Sequence, residues 1–198
     1  MSVKHAGDDT LTKLAGRDTE HRGAVYVQTV VRKKFKDVKE FIDSVEAQQL
    51  QKALVLVLDG ITDPHNLGAI MRSADQFGVD LVVLPERRSA KINTTVNKTS
   101  AGASSYVPTV VVKNLRRSLS ELKEAAFWVY GADAAGRPLH EVDFADRAVL
   151  VMGAEGKGLS RLILEECDHT AAIPTSGHID SLNVSVAAGI ILYELRRP

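Results

Sequence analysis

The sequence predicts an α/β fold, a mostly parallel sheet covered by helices on both faces. Three observations carry that expectation. Short β-branched or aliphatic runs recur along the chain, amphipathic stretches of helical period separate them, and polar turn motifs stand where several of the runs stop. Alternation of this kind describes βαβ units, whose crossover helices bury both sides of the sheet.

The elements follow in order. The first twenty or so residues are polar, with Gly7, Asp8, Asp9, Gly16 and Asp18 and little periodicity, and read as a loose arm. Val25–Val31 reads as a strand. From Lys36 to Lys52 the residues Val38, Phe41, Ile42, Val45 and Leu50 recur mainly at helical spacing among charges, predicting an amphipathic helix. Strands are expected at Leu54–Leu58, Leu81–Leu84, Thr109–Val112, Trp128–Tyr130, Val149–Met152 and Ala171–Ile173. Between them, Asn66–Phe77 presents Leu67, Ile70, Met71 and Ala74 on one side, with Gly78 as a C-cap candidate, and Leu115–Ala126 carries Leu115, Leu119 and Leu122. A last helix from about Asn183 to Leu195 has one stripe of Val184, Ala188, Ile191 and Leu195 and another of Val186, Ile190 and Tyr193. Being apolar nearly all round, it should be buried on two sides, either by a second subunit or by the chain's own N-terminal segment. The expected organisation is an arm, strand and linker helix over residues 1–45, followed by one domain over 46–198.

Composition narrows the function classes. A chain of 198 residues usually makes one domain and buries about two-thirds of its unfolded surface. No apolar run approaches the ~20 residues that span a bilayer, and the N-terminus lacks the apolar core of a signal peptide, so a cytoplasmic protein is expected. The single cysteine, Cys167, excludes an intrachain disulfide and cannot by itself supply a zinc cage. Glu165 and Glu166 precede it and disfavour a thiolate, so it reads as an inert, part-buried thiol. With 25 Lys and Arg against 25 Asp and Glu, the net charge of zero argues at first against nucleic acid. Local basic clusters nevertheless exist at Arg32-Lys33-Lys34 with Lys36, Arg87-Arg88 with Lys91, Arg116-Arg117 after Lys113, and Arg196-Arg197. Composition therefore permits RNA without demanding it.

Two glycine patterns are decoys. Gly131 to Gly136, followed by Arg137-Pro138, has P-loop spacing but lacks the Lys-Ser/Thr that holds phosphate and magnesium, and reads as a turn. Gly156-x-Gly158 after a strand suggests a dinucleotide fingerprint, but Arg161 occupies the third glycine position.

Three further motifs point to one site. The first runs from Asp59 to Arg72 as DGITDPHNLGAIMR, the second from Met152 to Leu159 as MGAEGKGL, and the third from Asp180 to Ser185 as DSLNVS. In the first, Pro64 bars helix at the N-terminal side of His65 and Asn66 can N-cap the helix, with Arg72 under two turns on. For Asn66 alone a capping role would suffice, and a lone loop histidine such as His65 is usually just exposed. In the second, Gly153 emerges from a strand end where a ligand can approach a backbone without a side chain. In the third, Ser181, Asn183 and Ser185 sit where the last helix begins, an ordinary signature of capping.

Taken together and in this order, the three motifs resemble the signatures of the SpoU-type RNA ribose 2'-O-methyltransferases, from roughly Val55 to the C-terminus. The resemblance is closest to the group acting on guanosine of 23S ribosomal RNA, through His21-Arg22-Gly23 and Ser100-Ala101-Gly102-Ala103. It implies a C-terminal trefoil knot in which the chain from Ile173 onward threads an earlier loop, and a homodimer through the last helix. It implies S-adenosylmethionine, released as S-adenosylhomocysteine, held largely by backbone around Met152, Gly153, Ile173, Ser181 and Leu182. It places Arg72 at the reacting ribose, oriented by Glu155, with Asn66 shaping its loop and Asn183 and Ser185 bordering the reacting centre. No metal is required, because such a cofactor already carries the activated methyl group. Relatives of this kind carry an N-terminal RNA-binding domain, and Leu14 to Gly23 looks like the tail of one. Transfer RNA as substrate, and a non-catalytic RNA-binding or ribosome-assembly role, remain alternatives; intact Asn66, Arg72, Glu155 and Asn183 count against the second.

Overall fold

The computed structural model describes residues 7–15, 34–178 and 181–197. The expected strand Val25–Val31, the stretch His21-Arg22-Gly23 and Asp180 lie outside these residues. The chain divides into two compact units, Met1–Val31 and Arg32–Pro198. In the first, the expected loose arm contains a helix, α1 (Asp8–Ala15), whose first turn carries Asp8 and Asp9. Acids suit that position because they face the positive end of the helix dipole.

The second unit is built on six parallel strands: β1 (Ala53–Leu58), β2 (Leu81–Pro85), β3 (Thr109–Val112), β4 (Trp128–Pro138), β5 (Arg147–Met152) and β6 (His169–Ala172), ordered β3-β2-β1-β5-β4-β6. Successive side chains alternate between two cores. Leu54, Leu56 and Leu58 of β1 join one core with Leu150 of β5, while Val55 and Val57 join the other with Val149 and Val151. The first core is closed by α3 (Pro64–Gln76), through Leu67, Ile70 and Met71, and by α7 (Val184–Leu195), through Ala188, Ile191 and Leu192. The second is closed by α2 (Val38–Ala47), through Phe41 and Val45, and by α5 (Leu115–Glu124), through Leu119 and Leu122. Both faces being covered, β1 is buried at every position, which is why its sequence is apolar throughout. Each buried Leu or Val of the strand contributes about 1.5–3 kcal/mol by leaving water.

Three local expectations are corrected. Asn66 does not cap α3: Asp63 does, its carboxylate accepting from the backbone N–H of His65 at 3.0 Å and of Asn66 at 3.3 Å, with Pro64 in the first turn where its missing N–H costs nothing. The predicted turn at Gly131–Gly136 lies inside β4, which runs on to Pro138. Ala132 and Arg137 both pair with Ala171, so the residues between them form an excursion from the ladder, pinned where Asp133 Oδ1 accepts from the Ala135 N–H at 2.8 Å. The predicted helix over Lys36–Lys52 ends at Ala47. Two short helices, α4 (Thr94–Thr99) and α6 (Arg161–Leu164), complete the unit. Among the described residues no helix is long and apolar enough to cross a membrane.

Candidate functional site

In a parallel sheet all strand carboxyl ends share one edge, and ligands bind there where the strand order reverses. Here the reversal falls between β1, which leads outward to β2 and β3, and its other neighbour β5. The loops leaving those two strands touch. The Asp59 N–H donates to the Met152 carbonyl at 2.8 Å, and Asp59 accepts from the Ser160 N–H at 3.1 Å.

The loop after β5 is a closed hairpin: Ala154 and Gly158 exchange backbone hydrogen bonds at 3.0 and 2.8 Å, with Glu155 and Lys157 exposed at its tip. Its tightness explains Gly153 differently from the sequence expectation. A Cβ at Gly153 would stand 2.1 Å from the Gly158 carbonyl carbon and 2.3 Å from its oxygen, so the absent side chain makes room for the returning loop, not for a ligand.

A cleft of about 740 Å³ opens beside this loop. Met152, Gly153, Ile173, Ser181 and Leu182, the five expected cofactor residues, all line it. Its floor includes Ala187 and Ile191 of α7. Sequence reasoning missed the wall supplied by the β4 excursion, where Asp133, Gly136 and Pro138 face the cleft. The signal for it in the sequence is the glycine-bounded run Gly131–Gly136.

At the cleft's margin the three motifs meet through side chains. The hydroxyl of Ser185 and its backbone N–H donate to Asn183 Oδ1 at 2.6 and 2.9 Å, so Asn183 caps α7 as expected. Asn183 Nδ2 then donates to Asn66 Oδ1 at 2.9 Å, and Asn66 Nδ2 donates to Glu155 Oε2 at 3.1 Å. This relay joins residues 117 and 89 positions apart in the chain. Asn66 is held as donor and acceptor at once, so its amide orientation is fixed and Glu155 is aimed by it.

Arg72 stands apart from the relay. It lies exposed on α3, six residues beyond Asn66, and does not line the cleft. Glu155 is engaged by Asn66 and not by Arg72, which corrects the expected Glu155–Arg72 pairing. Among the described residues neither group has an ion-pair partner. Cys167 lies away from this chemistry. Its thiol donates to the Ile163 carbonyl at 3.4 Å, and burial, reinforced by Asp168, pushes its pKa up from 9.0 to about 12.

Fold and site define a class: a parallel α/β protein with a cleft over the carboxyl ends of β5, β4 and β6, next to the strand-order reversal, and a polar relay at its margin. The chain belongs to the SpoU rRNA Methylase family, whose sequence model matches residues 53–193. It is 45% identical over 193 residues to a 23S rRNA (guanosine-2'-O-)-methyltransferase of Ralstonia nicotianae, covering 97% of this chain and 75% of that one. Among solved structures, the SpoU methyltransferase AviRb of Streptomyces viridochromogenes in complex with AdoMet gives a TM-score of 0.68 at 31% identity, over 74% of this chain and 60% of that chain. The A. aeolicus TrmH/SpoU tRNA modifying enzyme gives 0.67 at 32% identity, over 81% and 83%.

Proposed function

We propose that this chain transfers a methyl group from S-adenosylmethionine to a ribose 2'-hydroxyl of RNA, a guanosine of ribosomal RNA. The observation that carries this is the junction of the cleft with the Ser185–Asn183–Asn66–Glu155 relay, since methyl transfer needs a donor site and an acceptor site that share a boundary. The cleft fits the cofactor: its volume lies within the about 300–1,000 Å³ usual for small-molecule sites, Met152, Ile173 and Leu182 give it apolar walls, and Asp133 puts a carboxylate in its rim. When bound, S-adenosylmethionine supplies an activated methyl on a sulfonium, so the protein's task is orientation and electrostatics.

Guanidinium stays protonated in essentially all protein settings, so Arg72 is not a proton acceptor. It grips the phosphate next to the reacting ribose and stabilises negative charge developing on the 2'-oxygen, while a phosphate oxygen or water takes the proton. Asn66 and Glu155 fix the ribose, and Asn183 and Ser185 hold Asn66 in place.

The same reading includes a homodimer through α7, supported by the exposure of Val186 (51%), Ile190 (38%) and Tyr193 (57%) on one stripe while its other stripe is buried. It includes a knot formed from Ile173 onward, a cytoplasmic location, and an N-terminal segment over residues 1–45, whose helix α2 packs on the sheet, ahead of a methyltransferase domain over 46–198. Transfer RNA is the second substrate reading, favoured by the likeness to the A. aeolicus tRNA modifying enzyme over most of its length.

The test is incubation with labelled methyl donor and total RNA from a strain lacking the gene, followed by mapping of the labelled ribose. Label on a guanosine of the large ribosomal RNA is expected. Label confined to transfer RNA moves the substrate assignment, and cofactor binding without any transfer defeats the enzymatic one.

A further inference from the structure

The zero net charge conceals a separation of charge. From Arg87 to Ser120 there is no Asp or Glu, although Glu86 lies just before, and within that stretch Arg87, Arg88, Lys91, Lys98 and Lys113 are all exposed. Other cations are compensated, two of them in the same stretch: Arg116 meets Glu166 at 2.6 Å, Arg117 meets Glu121 at 2.9 Å, and farther on Lys123 meets Asp168 at 2.7 Å and Arg161 meets Glu165 at 2.8 Å. Among the described residues none of the five has an ion pair or a side-chain hydrogen bond.

Topology puts these five on the edge that carries the site. Arg87 and Arg88 follow the carboxyl end of β2, Lys113 follows that of β3, and the two strands are in register with Pro85 opposite Val112. β3 lies two strand spacings, about 10 Å, from β1. The loop beyond Arg88 is tied to the loop entering α3, with the Ala90 N–H donating to the Ile61 carbonyl at 2.7 Å. Farther on, the end of α4 sits on the start of α3: a Cβ on Gly68 would fall 2.6 Å from Thr99 Cβ, and Thr99 Oγ1 stands 3.5 Å from His65 Nδ1. Lys98 is therefore held one residue from a contact with the residue preceding Asn66. Arg88 itself adopts a left-handed backbone, φ 57°, a conformation that costs a non-glycine residue energy and recurs at ligand-contacting turns.

The geometry points to a phosphate-binding ridge of Arg87, Arg88, Lys91, Lys98 and Lys113, which holds the RNA strand flanking the nucleotide presented at Asn66 and Glu155. This rests on the methyltransferase reading for the presented nucleotide but not for the ridge's affinity. An acid-free line of unpaired cations fits a polyanion, and its rigid attachment to α3 turns backbone binding into positioning.

The experiment compares wild type with Arg87→Glu/Arg88→Glu, and separately with Lys91→Glu/Lys98→Glu, by three readouts: affinity for deproteinised ribosomal RNA across a salt series, affinity for S-adenosylmethionine, and KM against kcat for methyl transfer. All four side chains are exposed, and a thermal melt checks folding. Each double reversal is expected to weaken RNA binding and raise the RNA KM tenfold or more, with cofactor affinity and kcat within twofold. The slope of log K against log salt should shrink by about 0.7 per lost phosphate contact, roughly 1.4 for a pair. Lys52→Gln, which removes a cation paired with Asp146, should change neither. RNA affinity and salt slope unchanged in both reversals would overturn the ridge while leaving the enzymatic reading intact. Ridge-dependent RNA binding without any methyl transfer would do the opposite, sustaining the ridge and removing the activity.

Discussion

The two halves of the sheet's carboxyl edge are built from opposite materials. Over β5, β4 and β6 the surface is mostly backbone, glycine and apolar side chain, with Asp133 and Glu155 among its polar groups, folded into a cleft beside which the Gly153 and Gly158 backbones pack closely. Over β2 and β3 it is long cationic side chains, with Glu86 as an acid beside them. β1 separates them, and the loop and helix that follow it carry Asn66 and Arg72. The difference teaches a division of labour. A small ligand is recognised by a fixed shape, a polymer by a line of charge, and chemistry is placed where the two surfaces meet. If that division holds, substitutions at the junction change rate, those in the cleft change cofactor affinity, and those on the ridge change RNA affinity.

The segment after β1 offers the largest effect. Arg72→Ala should lower the single-turnover methyl-transfer rate about 1,000-fold, roughly 4 kcal/mol in barrier, with cofactor affinity within twofold of wild type. Arg72→Lys should also be slow, since a point charge does not reproduce a forked grip; near-full activity in that variant would rule the clamp out. A rate for Arg72→Ala with a titration lost relative to wild type would instead assign proton abstraction to the arginine. Asn66→Ala should cost about 100-fold, because it frees Glu155 and strands the Asn183 amide together. A loss under threefold would reduce the relay to ornament around a helix cap.

Cleft substitutions should separate the two ligands. Gly153→Ala inserts a methyl where the Gly158 backbone already stands, so the hairpin must shift. Overpacking of this sort costs about 1–3 kcal/mol, measurable by denaturant unfolding. Calorimetry should show cofactor affinity falling with it while RNA affinity holds; a parallel loss of both would merge the halves into one site. The cleft's dependence on a second subunit is tested at α7, which lines the cleft with Ala187 and Ile191 and exposes Ile190 on another side. Ile190→Glu should yield a monomer in sedimentation velocity with weaker cofactor binding, and an unchanged dimer would remove α7 as the interface.

How much of this was legible in the sequence follows from how local each feature is. β1, β2 and β5 are aliphatic runs whose burial on both faces leaves a direct imprint, and β3, an edge strand with Val111 exposed, still falls on the expected residues. The stripe Leu67, Ile70, Met71 and Ala74 likewise gave the buried face of α3. Its cap has a signal too, since Asp63 before Pro64 is a cap followed by a first-turn proline, but Asn66 three residues on is of an equally good capping type. The extension of β4 was invisible because Asp133–Gly136 has turn composition, and the strand resumes at Arg137 and Pro138 only by pairing with β6, more than thirty residues later. The relay was half legible. The motifs named its members, but the partner of Glu155 depends on tertiary placement, and a charged neighbour was expected where an amide stands.

The smallest effect belongs to Cys167, outside both halves, and serves as the control that they are the reactive part of the surface. Burial raises its folded-state pKa from 9.0 to about 12, so the thiol is neutral at physiological pH and should resist iodoacetamide until the chain unfolds. The sign of the stability effect follows from linkage. The folded state keeps a proton that the unfolded state releases, so this contribution is fully present below about pH 9 and is lost as pH rises toward about 12. Cys167→Ala should therefore flatten the alkaline limb of the stability curve between those values and leave the neutral region's pH dependence unchanged, as read from denaturant midpoints across pH. Rapid alkylation of the folded protein at pH 7.5 would mean that the thiol is reached by solvent, and that the wall of β4 and β6 beneath the cleft opens far more readily than its packing against Gly131 allows.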